Sequence, residues 1–98
     1  MKYLLGIDFG GGASKATLLS EDGIIIADNT VEYPTLYPTA GACEQNPVDW
    51  IDALCENTKS IISKSGIAPE DILAVAIDSA THTSLVCDEK FAPLCNAI

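Results

Sequence analysis

The feature that most constrains this chain lies at its start. Leu4-Leu5-Gly6-Ile7-Asp8-Phe9 runs into Gly10-Gly11-Gly12, and Ala13-Ser14-Lys15-Ala16-Thr17-Leu18-Leu19 follows. Two apolar runs of strand length around a glycine triplet predict antiparallel strands joined by a tight loop. Glycine tolerates positive φ and lets a backbone come close to a ligand, so the loop suits N–H groups turned towards a phosphate. Asp8 falls where the strand meets the loop, within reach of a metal ion held on such a phosphate. Lys15 adds a point charge for the phosphate oxygens. A glycine-rich hairpin without any ligand fits the same stretch, and Lys15 is then a solvated hairpin lysine. Two other phosphate motifs are excluded. A Walker A loop needs Gly-Lys-Ser/Thr opening a helix, whereas Ser14-Lys15-Ala16 opens a β-like run. The dinucleotide fingerprint needs a third glycine where Lys15 stands, again leading into a helix.

Taken in order, the chain predicts strands over residues 2–8, 15–20 and 24–33 in a three-stranded antiparallel meander. Glu21-Asp22-Gly23 forms the second turn, since Asp-Gly suits the positive φ angles of a tight hairpin. The first strand is almost continuously apolar, as expected of a central strand covered on both sides. The third becomes polar through Asp28, Asn29 and Glu32, as an edge strand does. Tyr33 to Gln45 is irregular, broken by Pro34, Pro38 and Gly41. A helix over 47–64 opens on Asn46 as N-cap, Pro47 in its first position and Asp49 in its first turn, and closes on Lys64 and Gly66. Ile51, Leu54, Cys55, Thr58, Ile61 and Ile62 predict its inward stripe, and Trp50 reads as packing. The most apolar run, 72–78, predicts a central strand, parallel to the first after a right-handed crossover. The polar loop Ser79-Ala80-Thr81-His82-Thr83 then lies at a strand's C-terminal end, where α/β folds bind ligands. Asp78 reads either as a second polar group there or as a strand-end turn former. Ser84 to Cys87 predicts one more strand, Asp88-Glu89-Lys90 a turn, and Phe91 to Ile98 an extended tail.

Charge and cysteine usage narrow the partners. A net charge of −9, with five basic residues, argues against nucleic acid and anionic membranes, which need clustered cations. No run approaches the roughly 20 apolar residues of a membrane span. The start lacks the layout of a secretory signal, so a cytoplasmic protein is expected. Cys43, Cys55, Cys87 and Cys95 show no Cys-x-x-Cys spacing, and the single His82 is near none of them, so zinc is not expected and the thiols read as reduced.

The ordered set of motifs resembles the amino-terminal part of an FGGY-family carbohydrate kinase, nearest to the xylulokinase branch, over almost the whole chain. Asp8-Phe9-Gly10 with Lys15 resembles the family's phosphate loop. Tyr33-Pro34, Pro38, Gly41, Glu44-Gln45-Asn46-Pro47 and Trp50 resemble its Tyr-Pro, Gly-Trp, Glu-Gln-Asp-Pro and Trp-Trp series. Ala76-Ile77 through His82 resembles the strand and Gln-Met-His loop of the sugar site, and Pro93-Leu94 with Ala97-Ile98 resembles the Pro-Leu-x-x-Ala-Ile segment. The resemblance implies an α/β fold of the ribonuclease H-like, actin-like ATPase type, a mixed sheet present here as a partial domain. Residues 1–98 are then the amino-terminal part of the first kinase domain. The rest of that domain, the general base and a second domain lie beyond Ile98.

The activity so implied is ATP-dependent phosphorylation of a sugar hydroxyl, on xylulose or a related ketose or polyol, by a longer parent protein. ATP and Mg2+ are the implied cofactors. Asp8 is the implied metal ligand. Gly10, Gly11, Gly12 and Lys15 face the phosphates, and Thr81 and His82 touch the sugar. A lone histidine is otherwise a structural residue. A homodimer is compatible with the resemblance, and the isolated 98 residues are expected to be inactive and prone to self-association. Four departures from the pattern stand out: Gly11 replaces a threonine, Ala42 the tryptophan of Gly-Trp, Asn46 the aspartate of Glu-Gln-Asp-Pro, and Ala80-Thr81 the Gln-Met before the histidine. The alternative is a non-catalytic, actin-like nucleotide switch or a sugar-sensing regulator, which shares the phosphate hairpin but needs no turnover.

Overall fold

The computed structural model describes residues 1–98. Its elements are β1 (Tyr3–Phe9), β2 (Ala13–Ser20), β3 (Ile25–Glu32), α1 (Pro47–Ser65) and β4 (Ile72–Ser79), with a single 3₁₀ turn at Pro69–Asp71 before β4. They form one mixed sheet in the order β3-β2-β1-β4. The β1–β2 and β2–β3 pairs are antiparallel, and β4 lies parallel to β1 after the α1 crossover. The β2–β3 turn closes at Gly23, whose φ of 83° is open to glycine without a Cβ penalty.

Helix α1 begins and ends for local reasons. The Asn46 side chain accepts from the Val48 N–H at 3.0 Å, and Pro47 supplies a preset φ in the first turn. Gly66 stops the helix in the left-handed conformation, with its N–H donated to the Ile62 carbonyl at 3.0 Å. Lys64 does more than sit at the negative pole: its ammonium donates to the Asp28 carbonyl and the Asn29 side chain across on β3.

The inward face of α1 differs from the expected stripe. Ala53, Leu54, Asn57 and Ile61 face the sheet, while Ile51 and Cys55 are exposed. The reason is Asn57, which is fully buried. Its amide donates to the Ser14 carbonyl and hydroxyl at 3.2 Å each and accepts from Asn29 at 2.9 Å. A satisfied polar group can occupy a core position that apolar periodicity assigns outward. Around it, Leu5, Ile7, Ala16, Leu18 and Ile61 form the core.

Three further expectations are corrected. β1 is central but covered on one face only, so Leu5 and Ile7 are buried while Leu4 and Asp8 are exposed. β4 is not central but an edge strand here, and Leu73, Val75 and Ile77 are each more than half exposed. The radius of gyration, 15.3 Å, accordingly exceeds the roughly 13 Å of a closed chain this size. Ser84 to Cys87 forms no strand. Asp88 caps a sharp turn by accepting from the Lys90 and Ala92 N–H groups, Phe91 takes a φ of 63°, and only isolated bridges result, such as Cys87 to Pro93. No helix is long and apolar enough to cross a membrane.

Candidate functional site

Strand alternation puts Gly6 and Asp8 on the face of β1 opposite the core. In register, Asp8 stands beside Lys15 of β2 on one side and Asp78 of β4 on the other. These three, with Gly6, Thr17 and Ala76, line an open cavity of about 310 Å³. Lys15 forms no ion pair, since the one pair within 4.0 Å joins Lys2 to Asp71, so its charge is left facing the cavity. The Asp8 carboxylate, by hydrogen bonding and then by its like charge, pushes the Asp78 carboxyl above its ordinary range. Burial, and then the Asp8 charge, pushes the Tyr33 phenol up in the same way. In both, the Asp8 charge is the second contributor.

That donor set fits Mg2+. The ion takes one or two protein carboxylates and completes its octahedron with water and phosphate oxygens. No group of three or more His, Cys, Asp or Glu gathers anywhere, so an all-protein metal cage is not available.

The glycine loop adjoins Asp8 but not for the expected conformational reason. None of Gly10, Gly11 and Gly12 takes the left-handed φ that excludes side chains. A side chain at Gly10 would press on the Ala13 carbonyl at 3.2 Å, whereas Gly11 and Gly12 have open space around them. The Gly10 N–H is spent on the Ala13 carbonyl at 2.9 Å. The Gly11 and Gly12 N–H groups donate to nothing in the chain, which leaves two of the three expected donors free for an anion.

Thr81 and His82 are not brought to the Asp8 cavity. They sit in the exposed loop after β4, with His82 at a φ of 61°. Their neighbours Ala80 and Thr83 line a second cavity of about 350 Å³ on the helix side of the sheet, with Phe9, Gln45, Trp50 and Leu54. Trp50 is packing with a polar handle, for its indole N–H donates to the Gln45 side chain at 2.9 Å. Thr17 and Gln45 are not among the site residues the sequence points to, and Asp78, which the sequence leaves open between a polar group at the cleft and a turn former, lines the cavity. The signal for Asp78 was present: Ile-Asp ends both apolar runs, and the parallel register pairs Ile7 with Ile77 and Asp8 with Asp78.

The chain is similar to known kinases over its whole length. It is 34% identical to the xylulose kinase of Bacillus subtilis over 98 residues, which are 100% of this chain and 20% of that protein. It is 35% identical to glycerol kinase 2 of Thermotoga maritima, again covering 100% of this chain and 20% of the relative. Among solved structures, gluconate kinase from Lactobacillus acidophilus superposes with a TM-score of 0.90 at 28% identity, over 99% of this chain and 19% of that one. The chain thus spans about a fifth of the length of these relatives. The sheet order and crossover are those of the ribonuclease H-like, actin-type sugar kinases, as the resemblance implied. Residues 3–98 match the description "FGGY family of carbohydrate kinases, N-terminal domain", and the chain belongs to that family.

Proposed function

We propose that these residues are the amino-terminal part of the first domain of a longer kinase, a cytoplasmic protein that transfers the terminal phosphoryl group of ATP to a hydroxyl of xylulose or a related ketose or polyol. The observation that carries the reading is the placement of Asp8 between Lys15 and Asp78, directly below a loop with two unspent N–H groups. When bound, MgATP supplies the phosphoryl group and partial neutralisation of its charge. Asp8 holds the metal, with Asp78 as a second carboxylate beside it. Gly11 and Gly12 donate to phosphate oxygens, and Lys15 faces the charge that develops on the transferring group. Gly10, its N–H already used, shapes the loop. Thr81 and His82 contact the sugar. The general base that takes the sugar proton belongs to residues outside these 98.

The reading is tested by ATP-dependent phosphorylation of D-xylulose and glycerol by the parent protein. Nucleotide binding without phosphorylation of any sugar or polyol would favour the switch or sensor instead. Within the kinase, His82→Ala is expected to raise the apparent KM for sugar about tenfold, the worth of a good hydrogen bond, with little change for ATP. His82→Asn is the matched control, because asparagine tolerates the positive φ there and keeps hydrogen-bonding capacity. It should recover part of the loss. Unchanged constants in both variants would reduce His82 to a loop residue.

A further inference from the structure

We infer that Tyr33 and Gln45 are positioning residues that aim the glycine loop, an inference that rests on the reading of this loop as a phosphate site. The segment after β3 captures all three glycine carbonyls. The Tyr33 hydroxyl donates to the Gly10 carbonyl at 2.7 Å, the Gln45 side-chain amide donates to the Gly11 carbonyl at 2.7 Å, and the Tyr33 N–H donates to the Gly12 carbonyl at 3.1 Å. Thr35 donates a second hydrogen bond to the Gly11 carbonyl.

The consequence follows from peptide geometry. A trans peptide is planar, with its C=O and the following N–H pointing in opposite directions. Holding the Gly10 carbonyl therefore turns the Gly11 N–H the other way, and holding the Gly11 carbonyl does the same for the Gly12 N–H. These are the two N–H groups that no part of the chain uses. Three consecutive glycines have wide conformational freedom, so without such a clamp the peptides could flip and withdraw their donors. Preorganised donors lower a barrier because they need no rearrangement when charge develops.

The clamp is itself anchored. Tyr33 is 7% exposed. Gln45 accepts from the Trp50 indole at 2.9 Å, and its backbone pairs with Ala97 in both directions at 3.0 and 2.9 Å. Gln45 thus ties the loop to the first turn of α1 and to the tail, and its two side-chain hydrogen bonds fix which way its amide faces.

The test uses the full-length protein and two neutral substitutions, Tyr33→Phe and Gln45→Met, which keep bulk and remove a donor. MgADP affinity is measured by calorimetry, melting temperature by scanning calorimetry, and exchange of the loop amides by hydrogen–deuterium mass spectrometry. Each variant is expected to bind MgADP about tenfold more weakly, the scale of one lost hydrogen bond, with faster exchange over residues 10–12. A lower melting temperature with wild-type MgADP affinity would make both residues structural and overturn the inference. Should one variant fail to fold, the other decides. Wild-type affinity in Tyr33→Phe and Gln45→Met, alongside lost affinity in Asp8→Ala, sinks the clamp but leaves the phosphate site standing. Absence of MgADP binding by the wild-type protein removes both.

Discussion

Asp8→Ala in the full-length protein is expected to lower kcat about a thousandfold, with the fold unchanged; removing one preorganised charge-stabilising group costs roughly a hundredfold to a thousandfold in comparable sites. The larger figure applies because Asp8 has two tasks in the proposed site, holding the metal and fixing the charge balance against Lys15 and Asp78. The fold should survive because Asp8 is exposed on the face opposite the core and takes no part in an ion pair. Lys15→Ala should cost about a hundredfold, since it removes one such group and nothing else. Steady-state kinetics at saturating magnesium and both substrates reads these effects as kcat, and near wild-type rates for both variants would end the assignment. A second readout is independent of turnover. With the Asp8 carboxylate gone, the hydrogen bond and the like charge that push the Asp78 carboxyl up go with it and only desolvation remains, so its titration by carbon NMR should fall back towards the ordinary aspartate range.

The other large effect is on stability. Asn57→Leu is expected to destabilise the chain by about 2–4 kcal/mol, because it strands the partners of a buried hydrogen-bond network. The partners are named in the structure: the Ser14 carbonyl and hydroxyl on β2, and the Asn29 amide on β3. Ser60 and Lys64 complete the network by donating to the other end of the Asn29 side chain. Urea unfolding should show the loss as a shifted midpoint at constant slope. The double variant Asn57→Leu with Ser14→Ala should be less destabilised than the sum of its parts, since the two positions share hydrogen bonds. Strict additivity would show that the network carries no coupling. Ser14 precedes Lys15, so the same network also sets where β2 presents its lysine.

Much of this architecture is legible in the sequence because it rests on local chemistry. The meander follows from a glycine loop and an Asp22-Gly23 turn, the helix from Asn46-Pro47 at one end and Gly66 at the other, and the parallel strand from its apolar run. What escaped depends on contacts far apart along the chain. Asn57 occupies the core only because Ser14 and Asn29 satisfy it. The edge position of β4 depends on what lies beside it, and no periodicity reports that. The captured glycine carbonyls are read from Tyr33 and Gln45, inside a stretch without any repeat. The Asp8–Asp78 juxtaposition lies between: both residues end apolar runs, but only the parallel register sets them side by side.

The alternation along β1 has a consequence for which length changes this chain can survive. Leu5 and Ile7 face the core while Gly6 and Asp8 face the cavity, and both neighbouring strands lock that register. Deleting one residue from 4–7 would carry every side chain on one flank of the deletion to the opposite face. Buried leucine would meet water and Asp8 would be driven into the apolar interior, so folding and chemistry would fail in one step. Residues 37–41 are exposed throughout and carry none of the loop-holding side chains, so a missing residue there should be absorbed. A single-residue deletion scan scored for soluble, nucleotide-binding protein should fall to zero across 4–7 and stay near wild type across 37–41. New specificities built on β1 must therefore come by substitution, whereas the exposed segment after β3 is open to changes of length.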